Sequence, residues 1–243
     1  GWGKLHAKPI AIAQGDDPCV LLDDGTIECW RGARETLTRW TIPGAANVTK
    51  IAMHGSRLCF ITSTNNLTCG RLSAANTTFT VTPSLSKSGI LDVDLRADDP
   101  SPYLAGATCW ITTDHNVGCA DAAAFGFAAP TDISNAVQIS VGKNYACARL
   151  SGGTVRCWGD NQYGALGDGT AQTPTSGTSV EVAGVSTATD ISVDKATNSL
   201  SCAVISGGSV KCWGIWLNAT AQRTETRAFE LPDVVDAVAL KLG

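Results

Sequence analysis

The chain lacks most of what marks a catalytic or membrane-spanning protein. Of its 243 residues only three are histidine, one is methionine and 6% are aromatic. No apolar run approaches the roughly 20 residues a membrane-crossing helix needs. Basic residues (18) do not outnumber acidic ones (22), and the net charge of −4 argues against general affinity for nucleic acid or an anionic membrane. His6, His54 and His115 show no ligand spacing, and no two cysteines stand in the short knuckle that zinc prefers. No Ser-His-Asp or Cys-His arrangement and no phosphate-cradling glycine loop is legible. The expectation is a non-enzyme with no cofactor and no metal. There is no signal peptide either, but the first residue is Gly1, not Met, which reads as a processed or trimmed chain.

What is abundant is glycine (25) and cysteine (10). The cysteines fall into five pairs, Cys19/Cys29, Cys59/Cys69, Cys109/Cys119, Cys147/Cys157 and Cys202/Cys212, each with nine residues between its members. First cysteines recur at intervals of 40, 50, 38 and 55 residues. One spacing repeated five times is an internal repeat. Between the cysteines, "CVLLDDGTIECW", "CARLSGGTVRCW" and "CAVISGGSVKCW" read as hairpins with a three-residue loop. Such a loop puts its last residue in the left-handed region. That residue is Gly25, Asn65, His115, Gly153 or Gly208, all types that tolerate it. Counting outward from the turn sets the two cysteines opposite each other in a non-hydrogen-bonded pair, close enough to bridge. Five self-closed disulfides are expected, hence an oxidising compartment and a secreted, extracellular or cell-surface location. Sequons at Asn47, Asn66, Asn76 and Asn218 fit that route as glycosylation candidates.

Before each hairpin stands an alternating apolar run: "PIAIAQG", "VTKIAMHG", "ILDVDLRA", "AVQISVG", "ATDISVD". A sixth, "DAVALKLG", ends the chain. A variable β-rich segment follows each hairpin. Four strands in 40–50 residues is the size of a propeller blade. The reading is one all-β domain over 1–243, with units of about 9–47, 48–88, 89–134, 135–186 and 187–235, and with 236–243 and 1–8 as a closing segment. The fold expectation is a β-propeller of four-stranded blades, five disulfide-stapled hairpins plus a terminal closure strand. An open arc, or part of a seven-bladed ring, is the alternative.

"CARLSGGTVRCWGDNQYGALGDGT" resembles the repeat of the regulator of chromosome condensation superfamily, in which strand and turn lead to Trp-Gly and then to a loop ending near Leu-Gly. The cysteine-paired form is similar to crinkly-type plant receptor ectodomains and to secreted bacterial relatives. The resemblance is close over 136–185 and 188–214 and fair over 9–32. It thins where Trp-Gly becomes Cys69-Gly70 or Cys119-Ala120. It implies a propeller and leaves function to individual sites.

In such a blade the tight turns share one face and the variable loops the other, which makes the loop face the expected binding surface. Its candidate residues are Tyr103, Asn161, Tyr163 and Trp216, against the plainer reading of loop packing. Asp160, Asn161 and Asp168 are the best calcium candidates, yet they lack the spacing of a calcium loop. Asp23-Asp24-Gly25 is explained by a turn and Asp98-Asp99-Pro100 by a loop start. Trp30, Trp158 and Trp213 hold the register of blade-packing residues. The functional expectation is a non-catalytic extracellular scaffold or interaction protein, its class extending to subunits of a surface fibre or wall assembly. Its partners are another protein, or itself through sheet edges or the loop face, and glycans on a second reading. That second reading is a ligand-binding receptor ectodomain or a lectin.

Overall fold

A computed structural model describes residues 5–32, 37–73, 77–96, 107–120, 127–195, 199–217 and 222–242. The described structure is all-β apart from one 3-10 turn at Pro83–Leu85. The chain packs as two compact units, Gly1–Gly106 and Ala107–Gly243.

The first unit holds two four-stranded antiparallel sheets in chain order. One is β1 (Pro9–Ala13), β2 (Cys19–Leu22), β3 (Ile27–Arg31) and β4 (Thr38–Thr41). The next is β5 (Val48–His54), β6 (Arg57–Thr62), β7 (Leu67–Leu72) and β8 (Phe79–Val81). β9 (Ile90–Leu95) follows as the first strand of a third repeat. The second unit opens with the hairpin of β10 (Thr108–Thr112) and β11 (Val117–Ala120). Two further four-stranded sheets follow: β12 (Ala136–Val141), β13 (Tyr145–Leu150), β14 (Val155–Gly159) and β15 (Val180–Glu181), then β16 (Ala188–Val193), β17 (Leu200–Ile205), β18 (Val210–Leu217) and β19 (Gln222–Glu230). These sheets are the blades anticipated from the repeat.

All five disulfides form within their own hairpins, and among the described residues no cysteine is free. Each pair is in direct register, with Cα atoms 4.0–4.1 Å apart. In the first hairpin the ladder bonds fall on the flanking pairs, Leu22 N–H to Thr26 O and Trp30 N–H to Pro18 O, so the cysteines occupy the close, unbonded site. The turn residues have φ of +80° (Gly25), +60° (Asn65), +61° (His115), +87° (Gly153) and +85° (Gly208), as the loop length requires.

Consecutive blades are joined by one repeated device. The carbonyl of the left-handed turn residue accepts the N–H that opens the next first strand. The bonds are Val48 to Gly25 (2.9 Å), Ile90 to Asn65 (2.9 Å), Ala136 to His115 (3.1 Å), Ala188 to Gly153 (2.8 Å) and Ala237 to Gly208 (3.0 Å). A close approach follows from it. A Cβ on Gly153 would lie 2.8 Å from Thr187 Cα, and one on Gly208 2.6 Å from Asp236 Cα. Three first strands then lay an isoleucine against the cluster of the preceding disulfide. Ile51 packs with the cluster of Cys19 and Cys29, Ile139 with Cys109, and Ile191 with Cys147 and Cys157. Burying an isoleucine this way stabilises by about 1.5–3 kcal/mol.

Polar side chains fix the slide between neighbours. Gln138 Oε1 accepts Ile191 N–H (3.2 Å) and Ser140 Oγ accepts Val193 N–H (3.1 Å). Asp190 Oδ2 accepts Leu240 N–H (2.8 Å) and Ser192 Oγ accepts Leu242 N–H (3.0 Å). Residues 236–242 therefore take the place of a first strand of a sixth unit, although they form no ladder of their own.

Candidate interaction surface

The loop after β14 decides which of the candidate residues can meet a partner. Asp160 opens it by capping a turn, its Oδ1 accepting Gln162 N–H (3.0 Å) and the Thr173 hydroxyl (3.2 Å). Asn161 is fully buried. Its Nδ2 donates to Asp168 Oδ1 (3.2 Å), Thr170 O (3.3 Å) and Gln172 O (3.1 Å), while its Oδ1 accepts Leu166 N–H (3.0 Å). The expectation that Asn161 lies on the binding face is thus corrected. A buried amide is worth keeping only if satisfied, and this one ties the loop shut from inside. Asp168 Oδ1 also takes Thr170 N–H and Oγ1, both at 2.9 Å. These carboxylates serve loop donors, and among the described residues no group of His, Cys, Asp or Glu is arranged to hold a metal ion.

Tyr163, two residues on, is 39% exposed. Its loop is held against β19: Gly169 N–H donates to Thr226 O (2.7 Å), and the backbones of Asp168 and Arg227 form an isolated antiparallel β-bridge. β19 can reach because three residues, 226–228, bulge out between the Cys212–Phe229 and Gly214–Glu225 pairings.

Trp216 is not in a loop. β18 runs on past the Trp213-Gly214 position and pairs Trp216 with Arg223 on β19. The sequence signal was there: Ile215-Trp216-Leu217 and the alternation of "QRTETRAFE" are both strand-like. The half-buried indole meets Phe229 edge-on, centroids 5.8 Å apart, and the Arg223 guanidinium sits 6.0 Å from the Phe229 centroid. Loop 160–170 and the β18–β19 arm are therefore one packed assembly. It displays Tyr163 and Arg227, while Trp216 and Phe229 pack on the cluster of Cys202 and Cys212 together with Leu240 and Leu242. Tyr103, the fourth candidate, and the Asp98-Asp99 pair lie outside the described residues.

The tryptophans behave as the repeat register implies. Trp158 and Trp213 are 1% and 0% exposed and Trp30 is half-buried. Trp213 Nε1 donates to Ala165 O (2.9 Å) in the preceding blade. Trp158 Nε1 has no acceptor among the described residues; its indole lines a small hollow with Phe127 and the 173–178 loop.

Burial works against the charge of Asp132, but Ser179 N–H and Oγ and the Arg156 guanidinium outweigh it and hold the carboxyl below its usual range. Burial pushes the Tyr145 phenol well above its ordinary range; it donates to Leu200 O (2.9 Å).

Among the sequons, Asn47 and Asn66 are exposed. Both flank the turn of the second hairpin, where Asn47 O accepts Ser63 N–H (2.8 Å) and Asn66 O accepts Thr62 N–H (3.0 Å). Asn76 and Asn218 lie outside the described residues.

Comparison with known proteins agrees with this architecture. Residues 136–165 match the Regulator of chromosome condensation (RCC1) repeat. No curated protein matches the chain in sequence. The structure of Kap60 bound to yeast RCC1 (Prp20) is similar with a TM-score of 0.67 and 13% identity, over 98% of this chain and 67% of that one. Human WBSCR16 is similar with a TM-score of 0.67 and 14% identity, over 94% and 68%. Prp20p of Saccharomyces cerevisiae, described with its binding to Gsp1p and histones, has a TM-score of 0.61 and 13% identity, over 94% and 66%. The chain thus spans about two thirds of each of these proteins' length. With an RCC1 repeat at its centre and four-stranded blades on either side, this chain has the fold of the RCC1-type β-propeller proteins.

Proposed function

We propose that this chain is a non-catalytic, extracellular protein-interaction scaffold that meets its partner through the loop face around Tyr163 and Arg227. The observation that carries the reading is the pairing of a rigid, disulfide-stapled framework with a loop–arm surface rich in the residue types that anchor protein interfaces. The RCC1-type fold supports a protein-binding role, since Prp20p is described with two protein partners. Five bridges closed within their hairpins support the oxidising compartment. The exposed sequons at Asn47 and Asn66 support N-glycans beside one hairpin turn, which leaves the opposite loops as the accessible face. Subunits of a surface fibre or wall are included in this class.

Two measurements test it. Native protein taken from its source carries ten cysteines that resist alkylation and loses mass on glycosidase treatment; ten free thiols would sink the extracellular reading. Cross-linking in the source material ties loop 160–170 or the β18–β19 arm to a second protein, and Tyr163→Ala with Arg227→Glu removes those cross-links. Cross-links unchanged in that variant assign the partner to another surface.

A further inference from the structure

Trp158 and Trp213 stand at the same place in the repeat, directly after the second cysteine, and both are buried. Their indole N–H groups fare differently. Trp213 Nε1 donates to Ala165 O of the preceding blade, under a loop so close that a Cβ on Gly167 would lie 2.7 Å from Trp213 Cδ1. Trp158 Nε1 is shielded from solvent and has no acceptor among the described residues. The register turns this N–H toward the third unit, where the sequence departs from the repeat. Ala165 stands eight residues after Cys157, within Gly164-Ala165-Leu166-Gly167; eight residues after Cys119 stands Phe127, and no such loop motif surrounds it. A donor buried this deeply is normally paired, so an unpaired one needs an explanation.

The hollow lined by this indole supplies one. Its inner side is aromatic and apolar, with Phe127 and Trp158 buried and Ala128 half-buried beside them. Residues 173–178 form its largely exposed rim, which brings the hydroxyls of Thr173, Thr175 and Ser176. The rim is fixed without a ligand: Asn161 N–H donates to Thr173 Oγ1 (3.0 Å) and Thr131 N–H to Gly177 O (3.2 Å). None of the described lining side chains ionises. Counting its open mouth, the hollow measures about 190 Å³, and its enclosed part has room for little more than one small group. That is below the roughly 300–1,000 Å³ of a pocket for a whole ligand, so it suits a substituent.

Each property of the hollow narrows what fills it. An indole N–H only donates, so the guest brings an acceptor. A carboxylate would give up its hydration with no cation to meet it. A hydroxyl or a water would bury protons of its own against an apolar wall, and a water there needs at least two polar partners. A carbonyl oxygen has no such debt, and a methyl beside it matches the apolar wall. We infer that the hollow at Trp158 binds an acetamido group, its carbonyl oxygen accepting from Trp158 Nε1 and its methyl lying against Phe127 and Ala128. The amide N–H and the rest of the molecule leave through the hydroxyl rim, which suits an N-acetylated sugar. The same group on an acetylated amine is the second source. The inference goes beyond the loop-face reading and does not rest on it.

Nuclear magnetic resonance of the isotope-labelled full chain tests this, with Trp213 as internal control. The probes are the methyl glycoside of N-acetylglucosamine and, separately, an acetyl-lysine amide. The Trp158 indole N–H signal, identified by its loss in Trp158→Phe, is expected to shift and saturate with a Kd of about 1–10 mM. The Trp213 signal stays in place, because its N–H is already bonded. The methyl glycosides of glucosamine and glucose, which lack the acetyl group, bind at least about tenfold more weakly. Ala128→Leu narrows the hollow, leaves the N–H in place and weakens the N-acetyl probes by a similar factor. Peptide mapping without reductant checks that its five bridges persist. In the unsubstituted chain the probe's methyl protons show Overhauser contacts to the Trp158 or Phe127 ring. Tighter binding of the sugar or of the lysine derivative names the source, and either supports the acetamido site. The inference is overturned if neither probe moves the Trp158 signal up to about 100 mM. It is equally overturned if the deacetylated sugars move it as strongly, or if the methyl contacts neither ring. Tyr163→Ala leaves these shifts unaltered, so failure here and failure of the loop-face reading are distinguishable.

Discussion

At the residue scale, the sequence misleads most where a polar side chain looks available. Asn161 sits in a Gly-rich loop among two aspartates and a tyrosine, the setting of a ligand-binding residue. The fold turns it inward, where one amide binds three acceptors and one N–H of its own loop. Asn161→Ala is expected to cost about 1–3 kcal/mol in chemical denaturation, since the buried Leu166 N–H loses its acceptor. The same variant raises amide exchange across 161–170. A loss below about 0.5 kcal/mol would mean that the loop is held by its exposed contacts alone. Nothing local in the sequence separates an amide that faces a partner from one that closes its own loop. The difference lies in where the chain returns at Thr170 and Gln172.

At the scale of the element, the hairpin was legible almost in full. Cysteine spacing, loop length and the glycine position determine one another, so the register, the bridge and the positive φ could be read before any coordinate. The fourth strands could not. β15 has only two residues and β19 nine, because these strands pair on one side only and their sequences answer to whatever loop they meet. The turn gives a sharp internal control. Gly153→Ala places a Cβ at φ +87° and 2.8 Å from Thr187 Cα, whereas Gly152→Ala meets nothing within 4 Å. The first substitution is expected to destabilise by at least about 1–2 kcal/mol. The second is expected to be neutral, or to stabilise by up to about 1 kcal/mol through the unfolded chain. Equal midpoints for the two variants in urea would show that the turn does not touch the next blade.

At the scale of the whole molecule, the repeat was visible in sequence but its polarity was not. Spacing counts units; it does not say that each unit shelters the one before it. That fact comes from the first strands, whose Ile51, Ile139 and Ile191 stand over a neighbour's bridge rather than their own. A sulfur pair under such a cover is reached by a small thiol only after the covering strand lifts. Chemical attack should therefore keep a timetable. Cys202–Cys212, where Cys202 is 5% exposed and the 236–242 segment forms part of the cover, opens earlier than Cys147–Cys157. Cys147–Cys157, beneath a full blade, opens much later. Timed alkylation under a mild reducing agent would read that order directly, and simultaneous loss of both bridges would refute it. The two bridges would then act as clocks, each recording how long its own cover stays seated.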